Sequence, residues 1–296
     1  MPHEKTSPVR TAIATITTSA ANFSADGAGT HAAAIAYSAV FAIAPLVIVG
    51  IGVAAQVLSI ALGPHQHHVV EDRLIGFIAA SIGSDSAQFI RQVVDRLFAS
   101  HQGSVIAQIL GWLTFIIAAS GLFLSLQTAL NIIWHVQPAK GFLRGIRDRI
   151  ASIAMLFAIG AIILATMAFD VALPSIWHRI HASMLPGSAI WFDLLNIGGS
   201  FVVITVVMAL LFKILPDAVI PWRDVFAGAL VTAALFLVGE AAVGFYISKV
   251  GVASGYGAAG AIVVLLVWAY YSAMLFLFGA EITHTIAINS ADRDSR

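Results

Sequence analysis

Four polar side chains stand out by where they fall: Glu240, Gln127, Asn131 and Asp170 interrupt or border stretches otherwise built of Ala, Val, Ile, Leu and Phe. A carboxyl in such surroundings is a proton acceptor or a partner for a cation. It persists where it has a partner or a task, because an ionisable group in hydrocarbon costs ~2.5–3.5 kcal/mol. Gln127 and Asn131 are one helical turn apart, so their amides either bind a polar group together or hydrogen-bond a neighbouring helix. These four are the candidate lining of a polar cavity or pathway. For Glu240 the plainer alternative is a neutral carboxyl hydrogen-bonded to the next helix. Asp193, Lys213 and Glu281, like Asp170, lie within a turn or two of a segment end, where snorkelling or loop water accounts for them. His65, His67 and His68 form the one tight group among ten histidines. They lack a carboxylate or cysteine at ligand spacing beside a Gly-Pro turn and read as a solvated loop, so no metal or other cofactor is expected.

The elements that must hold these residues are six apolar stretches: Ala32–Leu62, Ser104–Trp134, Ile150–Val171, Ile190–Phe212, Val225–Ile247 and Gly257–Ile282. Each is long enough to cross a hydrocarbon core of ~30 Å as a helix rising 1.5 Å per residue. Backbone polar groups in lipid must be paired within the segment or in a closed barrel, and continuous rather than alternating apolar runs favour helices. With 59% hydrophobic and 10% charged residues, too little polar surface remains to coat a water-facing globule. The expected fold is all-α, a single integral-membrane domain over 1–296 with six transmembrane helices and amphipathic interfacial helices. Glu240 falls four residues from the midpoint of its stretch, about 6 Å along the axis, and so well inside the hydrocarbon. The first stretch, at about 46 Å if straight, must tilt, bend or protrude, and Pro45 is the candidate kink.

Ten of the fifteen Lys and Arg fall on one side of this threading, among them Lys5, Lys140, Arg144, Arg147, Arg149, Lys213, Arg223 and Arg293. Positive charge near helix ends stays cytoplasmic, which predicts both termini inside. Residues 1–25 read as a cytoplasmic interfacial segment, because Val9, Ile13, Ile16, Ala20 and Phe23 share one helical face, and no signal-peptide core precedes a cleavage site. Residues 63–103 read as an outward-facing helical loop of two amphipathic helices parted at Gly83-Ser84-Asp85. The zero formal net charge gives no sign of nucleic-acid binding, and the absence of cysteine excludes disulfides and thiolate metal sites.

The chain resembles the YihY/BrkB family of bacterial inner-membrane proteins, once labelled ribonuclease BN. The resemblance is carried by AAAIAYSAVFAIAPL at Ala32–Leu46, ASGLFLSLQTALNIIWHV at Ala119–Val136, LPDAVIPWRDVFAGAL at Leu215–Leu230 and YGAAGAIVVLLVWAYYSAMLFLFGAEI at Tyr256–Ile282. It implies six transmembrane helices with both termini cytoplasmic. Family pictures include serum resistance and envelope-lipid export. Relatives often carry a basic residue where this chain has Glu240. A ribonuclease needs clustered metal ligands or a positioned acid–base pair with basic phosphate contacts, and none is evident, so no enzyme is expected. Two expectations follow. The first is a protein that moves or handles a lipid or small solute, with membrane lipids as partners and no ATP site of the GxxxxGK[ST] type. The second is a non-transporting envelope protein whose polar residues serve as helix-packing glue.

Overall fold

The computed structural model describes residues 8–42, 105–137, 188–250 and 258–294, with 76, 88, 91–92, 154–155, 158 and 161–162 between them. Among the described residues there is no strand. Helix α1 runs Pro8–Ala25 and opens on a proline, whose missing N–H is no loss at a helix start. It stops at Asp26–Gly27, where Gly27 takes a φ of 64°. The chain then re-enters a helix, α2, over 28–42. The Gly27 carbonyl accepts from the N–H groups of Thr30 and His31 at 2.9 and 3.3 Å, so the residue that ends one helix also starts the next.

Four longer helices follow: α3 Val105–Ile133, α4 Ser188–Ile214, α5 Trp222–Val250 and α6 Ala258–Asp294. Each overlaps one of the expected spans almost completely. Ile197–Ile214, Trp222–Gly239 and Ile262–Ala291 are long and apolar enough to cross a membrane, and Ser120–Ile133 is a shorter apolar stretch. Ile197, Val202, Val238, Ile262, Val263 and Val267 all point outward, a surface suited to lipid rather than to water. Pro45, Asp170, the His65–His68 group and most of 63–103 lie outside the described residues, as does the side chain of Glu240, whose backbone is helical in α5.

One boundary differs in a way that matters. The last span was expected to end at Ile282, but α6 continues to Asp294, because Ile282–Asp294 holds no Gly or Pro to break it. The extension is used. α1 docks along it, with Ser19 Oγ and Thr285 Oγ1 at 3.0 Å, both buried, and Phe23 edge-on to Phe278 at 6.0 Å. Ile13 and Ile16 remain exposed.

α5 and α6 are interlocked. A Cβ added at Gly228 would collide with Thr283, and one added at Gly279 would collide with Thr232. Each threonine therefore fills the notch over the other helix's glycine, and the descending register, 228 to 283 and 232 to 279, makes the pair antiparallel. Each hydroxyl is satisfied within its own helix, Thr232 donating to the Gly228 carbonyl at 2.7 Å and Thr283 to the Gly279 carbonyl at 2.8 Å. Small residues that let backbones approach are what associates helices where lipid removes the hydrophobic drive. Around this seam the core gathers Leu130 and Ile133 of α3, Phe212 of α4 and Phe276 and Leu277 of α6, with the Phe212 and Phe276 rings 5.2 Å apart.

Candidate functional site

The α5–α6 interlock places Glu281, which lies between Gly279 and Thr283, in the interior of the molecule. It is fully buried, and its carboxyl meets that of Asp26, a pairing that is a hydrogen bond only when one of the two carries a proton. It was expected at a segment end, reached by loop water; the continued helix and the docked α1 close that route. Three residues on, His284 shares its face of α6, and its Nδ1 is likewise buried without a partner.

Two helix ends bring the rest. Asp26, in the turn after α1, has a side chain 14% exposed and an unpartnered buried Oδ2. It acts electrostatically on both Glu281 and His284. The end of α3 supplies Trp134 and His135. Here the Val136 N–H returns to the Asn131 carbonyl and the His135 N–H to the Ile132 carbonyl, both at 2.9 Å, the paired closure that ends helices on a left-handed residue. That residue is usually glycine. Here it is His135, at φ 51°, a conformation costing an L-residue about 1–2 kcal/mol. Its Nε2 reaches to 3.6 Å from Asp26 Oδ1, and its Nδ1 lies 3.1 Å from the Ile133 carbonyl. The His284 ring is 5.6 Å from that of His135 and 4.8 Å from that of Trp134, whose buried Nε1 also lacks a partner.

Asp26, Trp134, His135, Glu281 and His284 thus converge from three helices with most of their polar capacity unspent. A buried carboxyl beside a second carboxyl and two imidazoles has the chemistry of a proton or cation acceptor. Among the described residues no three His, Asp or Glu side chains are disposed to hold a metal ion.

Of the residues singled out from sequence, Asn131 and Gln127 are described, and they lie outside this cluster. Asn131 is buried and doubly bonded to Asp217, its Nδ2 donating to Oδ2 at 3.0 Å and its Oδ1 accepting the Asp217 N–H at 2.9 Å. It latches the end of α3 to the α4–α5 connection. Gln127 is half-buried one turn earlier. The α5 end of the connection is held by Ser290, which donates to Asp224 Oδ1 at 3.1 Å, and by Lys213, which donates to the Ile220 carbonyl and sits 5.5 Å over the Trp222 ring. The five clustered residues were missed because four lie near expected helix ends. The available signal was the pair Glu281 and His284, one turn apart inside a stretch whose next charge is Asp292.

Long apolar helices with a lipid-facing exterior and a closed polar centre define a helical membrane protein. The Virulence factor BrkB family matches residues 19–296, and the chain belongs to that family. Among curated relatives it is similar to a UPF0761 membrane protein of Tolumonas auensis, 29% identical over 60% of this chain and 57% of the relative. It is also similar to one of Verminephrobacter eiseniae, 27% identical over 88% and 59%, and to one of Yersinia pestis, 29% identical over 75% and 72%. The chain therefore spans less than three-fifths of the length of the first two relatives. Their names state a membrane protein and no enzymatic activity. No solved structure matches.

Proposed function

We propose that the chain is a six-span bacterial inner-membrane protein, both termini cytoplasmic, that moves or handles a lipid or small solute at the envelope without being an enzyme. The cluster of Asp26, Glu281 and His284 is its proton-exchanging centre. The observation that carries this reading is the Glu281 carboxyl, wholly buried against the Asp26 carboxyl in a helix apolar enough to span. An ionisable group so placed marks a pathway or a relay. The distribution of Lys and Arg supports the orientation, and the outward Ile13 and Ile16 support a lipid-facing side of α1. Glu240, Gln127 and Asp170 remain candidates for the rest of the pathway.

The second reading, an organiser of envelope lipids or partner proteins, is favoured by one observation: Asn131 is spent on Asp217 and acts as glue.

Flux of labelled lipids and solutes into proteoliposomes under an imposed pH gradient separates the two. The transport reading expects a gradient-dependent flux that Glu281→Gln abolishes. Flux with unchanged pH dependence in Glu281→Gln discards that centre, and a parallel result for Glu240→Gln discards Glu240. Absence of flux with intact protein leaves the organiser.

A further inference from the structure

We infer that Glu281 exchanges its proton with the aqueous phase through Asp26, with His135 as the entry group. The inference rests on reading Glu281 as a proton site, and not on any cargo being moved.

Three observations carry it. The first is a gradient of access: the His135 side chain is 64% exposed, that of Asp26 14%, and Glu281 is fully buried. The second is the histidine's tautomer. A carbonyl only accepts, so the 3.1 Å contact with Ile133 places the hydrogen on Nδ1. Nε2, the nitrogen facing Asp26 Oδ1 at 3.6 Å, is then the one with a free lone pair. The third is the backbone. A left-handed helix terminus that glycine fills without strain carries an imidazole instead. That turn aims the ring back over the end of α1.

The step balances. Nε2 takes a proton from water and becomes an imidazolium still bonded through Nδ1 to Ile133. It passes the Nε2 proton to Asp26 Oδ1, by a small side-chain approach or across one water. Asp26 then delivers a proton to the Glu281 carboxyl, which it meets side chain to side chain, and the imidazole returns to its starting tautomer. Release is the reverse. The groups acting on this chain of sites are Asp26 after α1, His135 after α3 and His284 on α6. His31 lies one turn further along α2. At the same end Asp217 and Asp224 are bonded to Asn131 and Ser290.

The test uses the full chain in lipid nanodiscs and follows the carboxylic C=O infrared band after a pH jump, with Glu281→Gln assigning the band. His135→Gly suits the left-handed turn, and His135→Asn tolerates it. Both are expected to keep the same spectral end points while slowing the change about tenfold or more. Asp26→Asn is expected to slow it likewise. Added free imidazole is expected to restore the rate in His135→Gly, which a purely structural role would not allow. Wild-type rates in both His135 variants overturn the entry role. A C=O band with no contribution from Glu281 overturns the proton site itself, and with it the centre assigned under the proposed function.

Discussion

Two polar regions sit at the same end of this bundle and are built on opposite terms. Around Asn131, Asp217, Asp224 and Ser290 the amide, carboxylate and hydroxyl groups meet one another at hydrogen-bond distance. Around Glu281 and Asp26 two carboxyls face one another with no donor between them, and the buried ring nitrogens of Trp134 and His284 meet no partner among the described residues. Partnered groups join elements. Unpartnered ones add nothing to folding and lower stability, so their retention has to be explained by what they bind or transfer.

The contrast can be broken at four places. Gly279→Val should have the largest effect, because the added methyls collide with Thr232 at the seam that holds both regions; a loss of about 3 kcal/mol or more is expected in detergent unfolding. Asn131→Leu removes both bonds to Asp217 and should cost about 1–3 kcal/mol in the same assay. Glu281→Leu is the sharpest comparison, since removing a buried carboxyl that faces another carboxyl should leave stability unchanged or raise it by up to about 2 kcal/mol. A loss for Glu281→Leu as large as for Asn131→Leu would place both residues in one class. Ser290→Ala, which deletes one bond to Asp224, should cost about 0.5–1 kcal/mol.

The helices were legible because their cause is local: uninterrupted apolar runs predicted α3, α4, α5 and the bulk of α6 to within a few residues. The end of α6 was not. Thr283, His284 and Thr285 look like the approach to water, and only the docking of α1 through Ser19 and Phe23 keeps them dry. The site was illegible for the same reason. Asp26 and His135 carry no signal of their own in the sequence, and their meeting depends on two helix terminations, one at Gly27 and one at His135 itself. Asn131 was legible as a polar residue near a helix end, but its bonds to Asp217 in the α4–α5 connection were not.

The paired threonine pegs and glycine sockets of α5 and α6 have a mechanical result. Two offset dowels fix both slide and twist, so these helices can travel only as a single block. Glu281 is bolted to that block between a socket and a peg, whereas Asp26 and His135 ride on the hinges that end α1 and α3. The acid's place is thus set by the α5–α6 seam, and that of its two attendants by the turns at Gly27 and His135.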